Sequence, residues 1–106
     1  MVYYNPTAEN DLGNIVEGLA RWRNYSLGYD HAMSYVDDIK RLCDVLDNKP
    51  FHSNAIFPTH REYGSKVHTY KRNRNTTWYI IYNLDLFGNV YINRIINNYL
   101  TVFSKD

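Results

Sequence analysis

The spacing of apolar residues changes near the middle of the chain, and this change restricts the fold more than any other feature of the sequence. In the first half, apolar side chains recur every three or four residues, as on one face of an amphipathic helix. After Gly64 the pattern alternates residue by residue, as in a β-strand. Because the helices precede the strands and do not alternate with them, the sequence predicts an α+β domain.

Two helices are predicted in the first half, over about Pro6–Asn24 and Tyr29–Asp47. Their apolar stripes are Leu12, Ile15, Val16, Leu19 and Trp22 in the first, and Tyr29, Ala32, Met33, Val36, Ile39, Cys43 and Leu46 in the second. Asn5 is a plausible N-cap, and proline is tolerated in the first turn. The connection, Asn24–Gly28, has five residues. A connection this short favours antiparallel packing, so we expect an N-terminal helical hairpin.

The second half predicts a small antiparallel sheet. Its strands are expected over Lys66–Arg72, Thr77–Leu84 and Val90–Ile96, with a tight loop at Phe87–Asn89 and a further short strand at Val2–Tyr4. Thr77–Leu84 is apolar on both faces through its middle, which indicates a central strand. Phe51–Glu62 has no clear period and is interpreted as an irregular connection. We expect the helical hairpin on one sheet face and the other face open to partners.

Length and composition limit the kinds of protein this chain can be. With 106 residues, 1–106 is expected to form a single domain. The single cysteine, Cys43, excludes a disulfide framework and a cysteine-based zinc site. His52, His60 and His68 lack metal-ligand spacing, so neither a metal nor another cofactor is predicted. No apolar run is long enough to cross a bilayer and the first residues do not resemble a signal peptide, which favours a cytoplasmic protein without a membrane partner.

Positive charge is concentrated in one short segment. The chain has 12 basic and 11 acidic residues, a net charge of +1, which argues against a globally basic nucleic-acid-binding protein. Residues 60–74, however, contain five basic residues and one acidic residue, a net charge of +4. Strand alternation places four side chains of this segment on a common face: Lys66, His68, Tyr70 and Arg72. This face either contacts RNA or is the solvated face of an edge strand guarded by basic residues.

Arg94 is predicted to share a face of the last strand with apolar residues. Those residues are Val90, Ile92 and Ile96. A charge in such surroundings needs a partner or a ligand. The alternatives are a structural salt bridge, to Asp85 or to an acidic residue of a helix, and contact with a phosphate group.

Three local patterns, taken in order, resemble one known protein family. The first is Tyr4–Leu12 followed by Ile15, and the second combines Gly28, Ala32, Tyr35 and Ile39 with the later Leu46 and Pro50. The third is Trp78–Asp85 with Gly88–Val90 and Arg94–Asn97. Together the three patterns span nearly the whole chain. In this order they resemble the RelE/ParE superfamily of toxins from bacterial type II toxin–antitoxin modules.

The resemblance implies two different activities. RelE-like members cleave mRNA in the ribosomal A site and so inhibit translation, by metal-independent attack of a ribose 2′-OH on the adjacent phosphate. ParE-like members inhibit DNA gyrase and are not nucleases. The resemblance therefore implies a cytoplasmic toxin neutralised by a cognate antitoxin. We expect a ribosome-dependent mRNA endoribonuclease, with a gyrase inhibitor without nuclease activity as the alternative.

The resemblance, through the matching residue types Lys66, Arg72, Arg94 and Tyr99, and the basic segment together give the candidate site residues. The candidate catalytic residues are Lys66, His68, Arg72, Arg94 and Tyr99. The candidate RNA-binding residues are Arg61, Lys71, Arg74 and Asn98. The chain departs from many family members in having Asn97 and Asn98 where a histidine near the end of the last strand is common. It also lacks the strongly basic balance of many RelE-like nucleases.

Overall fold

The computed structural model describes residues 1–22, 25–72, 74 and 76–97, without the side chains of residues 19–22, 25–29 and 31. The strands are β1 (Val2–Tyr4), β2 (Ser53–Asn54), β3 (Lys66–Lys71), β4 (Thr77–Leu84) and β5 (Val90–Asn97). The helices are α1 (Pro6–Trp22), α2 (Tyr25–Asp44) and α3 (Pro58–Arg61), with a 3-10 turn at Leu46–Asn48. The domain is therefore α+β. Among the described residues, no helix combines the length and hydropathy needed to span a bilayer.

The five strands form one mixed sheet in the order β1-β5-β4-β3-β2. Neighbouring strands are antiparallel except at one edge, where β1 runs parallel to β5 with Val2 opposite Val90. The predicted wholly antiparallel sheet is wrong at this edge. The reason is topological, because β1 joins the sheet beside the last strand of the chain and not beside a hairpin partner.

The main core lies between the sheet and the two long helices, which contact each other. Its buried residues include Leu12, Ile15, Val36, Ile39, Cys43, Leu46, Trp78, Ile80, Tyr82, Ile92 and Ile95. α2 begins at Tyr25, four residues before the predicted start at Tyr29, so the predicted connection is wrong for Tyr25–Gly28. A glycine inside a helix costs only about 1 kcal/mol relative to alanine, which packing elsewhere along the helix can offset.

The second face of the sheet is not open, in contrast to our prediction. Residues 55–64 include α3 and pack on this face, although the sequence predicted an irregular connection over Phe51–Glu62. The Phe57 and His60 rings lie against Tyr79, and Ile81 of this face is fully buried. Gly64 sits so close to β4 that an added Cβ would lie 2.9 Å from the Tyr82 carbonyl oxygen. This close contact explains why the segment that packs on this face ends at glycine, which has no Cβ.

A β-bulge in β5 changes which face Arg94 occupies. Tyr82 pairs with Ile92 and Ile81 pairs with Arg94, which leaves Asn93 as the extra residue. Ile92 and Ile95 therefore face the helices, while Arg94 shares the second face with Ile81. The predicted alternation of Arg94 with Val90 and Ile92 is wrong, because simple period-two counting fails across a bulge.

Candidate nucleic-acid site at the edge of the sheet

Arg94 is held in an ion pair with the first turns of α1. Its Nε lies 2.8 Å from one Asp11 carboxylate oxygen and its Nη2 lies 3.2 Å from the other. The backbone N–H of Ile95 also donates to Asp11, at 2.8 Å, and the guanidinium lies over the Tyr63 ring, 4.6 Å from its centroid. Of the two alternatives from the sequence, the structure contains the salt bridge to a helix acid. The Asp11 hydrogen bond is also the main cause that raises the Arg94 pKa.

Arg72 is likewise held by neighbouring side chains, just beyond the end of β3. Its Nη1 donates to Asp38 of α2 at 2.6 Å and to the Tyr70 hydroxyl at 3.0 Å. The guanidinium carbon lies 4.2 Å from the centroid of the Tyr35 ring. The Tyr70 and Asp38 hydrogen bonds raise the Arg72 pKa. Both arginines that the resemblance assigns to catalysis thus have carboxylate and aromatic partners within the fold.

Lys66 and His68 share one face of β3, as the alternation predicts. That face is the helix side of the sheet, since Lys66 pairs in register with the core residue Tyr82 and His68 pairs with Ile80. Both side chains are half-buried, and among the described residues β3 is flanked on its outer side by the two residues of β2. The face is therefore partly covered and not a wholly solvated surface. Lys66 Nζ donates to Asn54 of β2 at 2.6 Å.

A second histidine, His52, approaches this edge of the sheet from the segment that precedes β2. Asn54 pairs with Lys66 and Ser53 pairs with Val67, and His52 directly precedes this two-residue strand. His52 Nδ1 lies 2.7 Å from the Tyr82 hydroxyl, and the two rings meet edge to face.

Lys49 completes the group. Its Nζ lies 3.0 Å from His68 Nδ1. We name Lys49, His52, Lys66 and His68 the histidine–lysine cluster; all four side chains are half-buried. It brings two imidazoles and two ammonium groups to one edge of the sheet.

The electrostatics of the cluster favour the neutral imidazole of His68 and leave the lysine charge unpaired. Burial, followed by the nearby Lys49 ammonium, lowers the pKa of His68. Burial also raises the pKa of the Tyr82 phenol to about 12, so this hydroxyl is neutral at physiological pH. Within the described part of the chain, neither lysine forms an ion pair with a carboxylate. The cluster therefore offers positive charge to an anion.

The remaining residues predicted from the sequence either lie away from the cluster or fall outside the described part of the chain. Lys71 and Arg74 are exposed, and Lys71 is on the opposite face of β3 from Lys66. Arg61 is exposed at the end of α3, where it lines a pocket of about 570 Å³ beneath the second sheet face. Asn98 and Tyr99 lie outside the described residues.

Sequence reasoning missed His52, Lys49 and Tyr82 as site residues. His52 lies in the segment read as irregular, so no strand period indicated its direction. Lys49 follows α2 and the 3-10 turn, and it reaches His68 only through the tertiary fold. The available signal was the spacing of Lys49 and His52 after a predicted helix end, next to Pro50, but such spacing does not specify a partner.

The arrangement supplies the groups that metal-independent phosphodiester cleavage requires. That reaction needs a base for the ribose 2′-OH, positive charge near the phosphate, and a proton donor for the leaving 5′-oxygen. Neutral imidazole acts as a base near neutral pH and ammonium groups supply charge and protons. Among the described residues, no three histidine, cysteine, aspartate or glutamate side chains are grouped so as to hold a metal ion.

Comparison of the chain with models of protein families, with curated proteins and with solved structures gave no match.

Proposed function

We propose that this protein is a metal-independent endoribonuclease whose reaction takes place at the histidine–lysine cluster. The observation that carries the proposal is the meeting of two histidines and two lysines at one sheet edge, with no carboxylate paired to either lysine among the described residues. The family resemblance adds the setting: a RelE-like toxin acting on ribosome-bound mRNA and neutralised by an antitoxin. It also suggests that α1 and α2 form the family's helical hairpin.

The hydrogen bonds of the cluster suggest a role for each group. We assign the Nδ1–H tautomer to His52, so that it donates to the Tyr82 hydroxyl and leaves Nε2 to accept the proton of the ribose 2′-OH. His68 accepts at Nδ1 from the Lys49 ammonium, so its Nε2–H and Lys49 together hold the phosphate oxygens. Lys66 then protonates the departing oxygen.

In bond terms, the 2′-oxygen bonds to phosphorus as the bond from phosphorus to the 5′-oxygen breaks. The proton of the 2′-OH passes to His52, and the 5′-oxygen receives a proton from Lys66. The products are a 2′,3′-cyclic phosphate and a 5′-hydroxyl end. Detection of these two ends distinguishes this route from hydrolysis by an activated water, which leaves a phosphomonoester at once.

The test is single-turnover cleavage of ribosome-bound mRNA with a chelator present. We expect the wild-type protein to cleave, and His52→Ala to lower the rate constant on the order of 10²-fold or more. Lys71→Ala is the matched control, since Lys71 lies on the same strand but on the opposite face; its rate constant should stay within about twofold of wild type. Intact mRNA with the folded wild-type protein would refute the proposal.

One observation favours the alternative, a ParE-like gyrase inhibitor. Arg72 and Arg94 are paired with Asp38 and Asp11, so the charge of each is already balanced by a carboxylate. A protein that inhibits gyrase by binding it does not need an arginine that is free to bind phosphate. Supercoiling by purified gyrase, measured with the same preparation of the protein, separates the two: inhibition of supercoiling with intact mRNA would select the alternative.

A further inference from the structure

Phe51 is exposed to solvent and adjoins the histidine–lysine cluster in sequence. Its exposed fraction is 83%, and it directly precedes His52 and lies two residues after Lys49. A single exposed apolar side chain is common on protein surfaces and needs no explanation by itself. Its position is informative because it is next in sequence to His52 and two residues from Lys49, two members of the cluster.

We infer that Phe51 is a stacking platform for one nucleobase of single-stranded RNA, placed beside the phosphate held by the cluster; this inference rests on the proposed function. Sequence-tolerant binding of single strands combines positive charge along the backbone with aromatic rings on which bases stack. RNA recognition in particular uses unstacked bases laid on aromatic side chains. Lys49 and Lys66 supply the charge, and Phe51 supplies the ring.

The backbone that leads to Phe51 is restricted at two positions. Lys49 has an extended backbone, with φ −72° and ψ 136°, as expected before a proline, and Pro50 has a fixed φ. The Cα atoms of Phe51 and His52 are one peptide unit apart, about 3.8 Å. A base on the ring and the adjacent ribose at the imidazole are therefore compatible with one nucleotide.

Phe87 provides a contrast within the same molecule. It is 90% exposed, in the loop between β4 and β5, where the Asp85 carboxylate accepts from the Phe87 and Asn89 N–H groups. Negative charge there disfavours a nucleic-acid backbone. Phe87 is therefore an equally exposed phenylalanine in an unsuitable electrostatic setting, and it serves as the matched control.

The experiment measures binding separately from cleavage. The probe is a labelled single-stranded RNA of mixed sequence with every 2′-oxygen methylated, so that it cannot be cleaved by 2′-OH attack, and fluorescence anisotropy reports its Kd. We expect Phe51→Ala to weaken binding about tenfold, Phe51→Trp to retain it, and Phe87→Ala to leave it unchanged. The loss with Phe51→Ala should disappear on an abasic version of the probe, which has the phosphates but no bases.

Three outcomes would overturn the inference. The first is equal Kd for Phe51→Ala and wild type on the base-containing probe. The second is a changed oligomeric state of Phe51→Ala with unchanged RNA binding, which would assign the ring to a contact between protein chains. The third is no binding by wild type; cleavage of ribosome-bound mRNA by the same preparation then decides separately whether the proposed function also fails.

Discussion

The two arginines and the histidine–lysine cluster are both basic regions of the sheet, yet their surroundings differ. Arg72 and Arg94 each contact a carboxylate and lie over a tyrosine ring. Lys49 and Lys66 contact a histidine and an asparagine instead. The charge of the two arginines is paired with carboxylates of the fold, whereas the charge of the two lysines is available to a ligand. Lys66 and Arg72, which lie in the same short basic segment, therefore have different surroundings.

If the arginine pairs are structural, the largest loss of stability should follow substitution of Asp11. Asp11→Ala removes the partner of Arg94 and the acceptor of the Ile95 N–H, and the Asp11 side chain is only 12% exposed. We expect a loss of about 3 kcal/mol in the free energy of unfolding, measured by urea denaturation. Asp37→Ala, at an exposed position of the other long helix, should change it by less than about 0.5 kcal/mol. Equal effects of the two changes would contradict a structural role for the Asp11–Arg94 pair.

The next effect distinguishes the two regions by activity. Lys66→Ala should lower the cleavage rate constant about 10²-fold with little change in stability, because it removes a group assigned to the reaction. Arg72→Ala should lower stability by about 1 kcal/mol and leave the rate constant of the folded protein nearly unchanged. Single-turnover kinetics and thermal unfolding of the same samples provide both readouts. If Arg72→Ala reduced the rate constant as much as Lys66→Ala, the division between the two regions would fail.

A smaller effect is expected at Asp38, the partner of Arg72. The pair is more exposed than Asp11–Arg94, with side-chain exposures of 24% for Arg72 and 35% for Asp38, so solvent weakens it. Asp38→Ala should cost about 1 kcal/mol of unfolding free energy, and added salt should reduce the difference from wild type. A salt-independent loss would indicate that packing, and not charge, is what Asp38 contributes.

The smallest effect concerns pH. The folded state lowers the pKa of His68, so below the ordinary histidine value of about 6.5 the unfolded chain binds more protons than the folded one. Stability should fall as pH decreases through that value and be level above it. His68→Gln should make this fall shallower, and Lys71→Ala should leave it unchanged. Urea denaturation between about pH 5 and 8, roughly the range in which histidine titrates, would show the difference between wild type and His68→Gln. A parallel pH curve for His68→Gln would show that His68 does not contribute.

Periodicity predicted the element types well, since helical stripes and strand alternation report local geometry. The limits of β4 and the start of β5 agree with the prediction. Periodicity failed where tertiary contacts decide the outcome: at the Asn93 bulge, which moved Arg94 to the other face, and in residues 55–64, which cover the sheet.

The candidate site was predictable only in part for the same reason. The common face of Lys66 and His68 follows from strand alternation within β3. Their neighbours Lys49 and His52 come from before β3, and only the pairing of the two-residue strand β2 brings them there. A strand of two residues has no detectable period, so this contact could not be read from the sequence.

The parallel pairing of β1 with β5 has a consequence for the order of assembly. Val2 pairs with Val90, and Asp11 reaches Arg94, so these contacts join parts of the chain that are more than 80 residues apart. The β2–β3 contact joins residues only about a dozen positions apart. Loop-closure entropy disfavours early formation of distant contacts, and folding slows as the mean sequence separation of contacts grows. During synthesis, α1 therefore emerges long before the strand that holds it, while the edge carrying the histidine–lysine cluster can form as soon as β3 and β4 have been made.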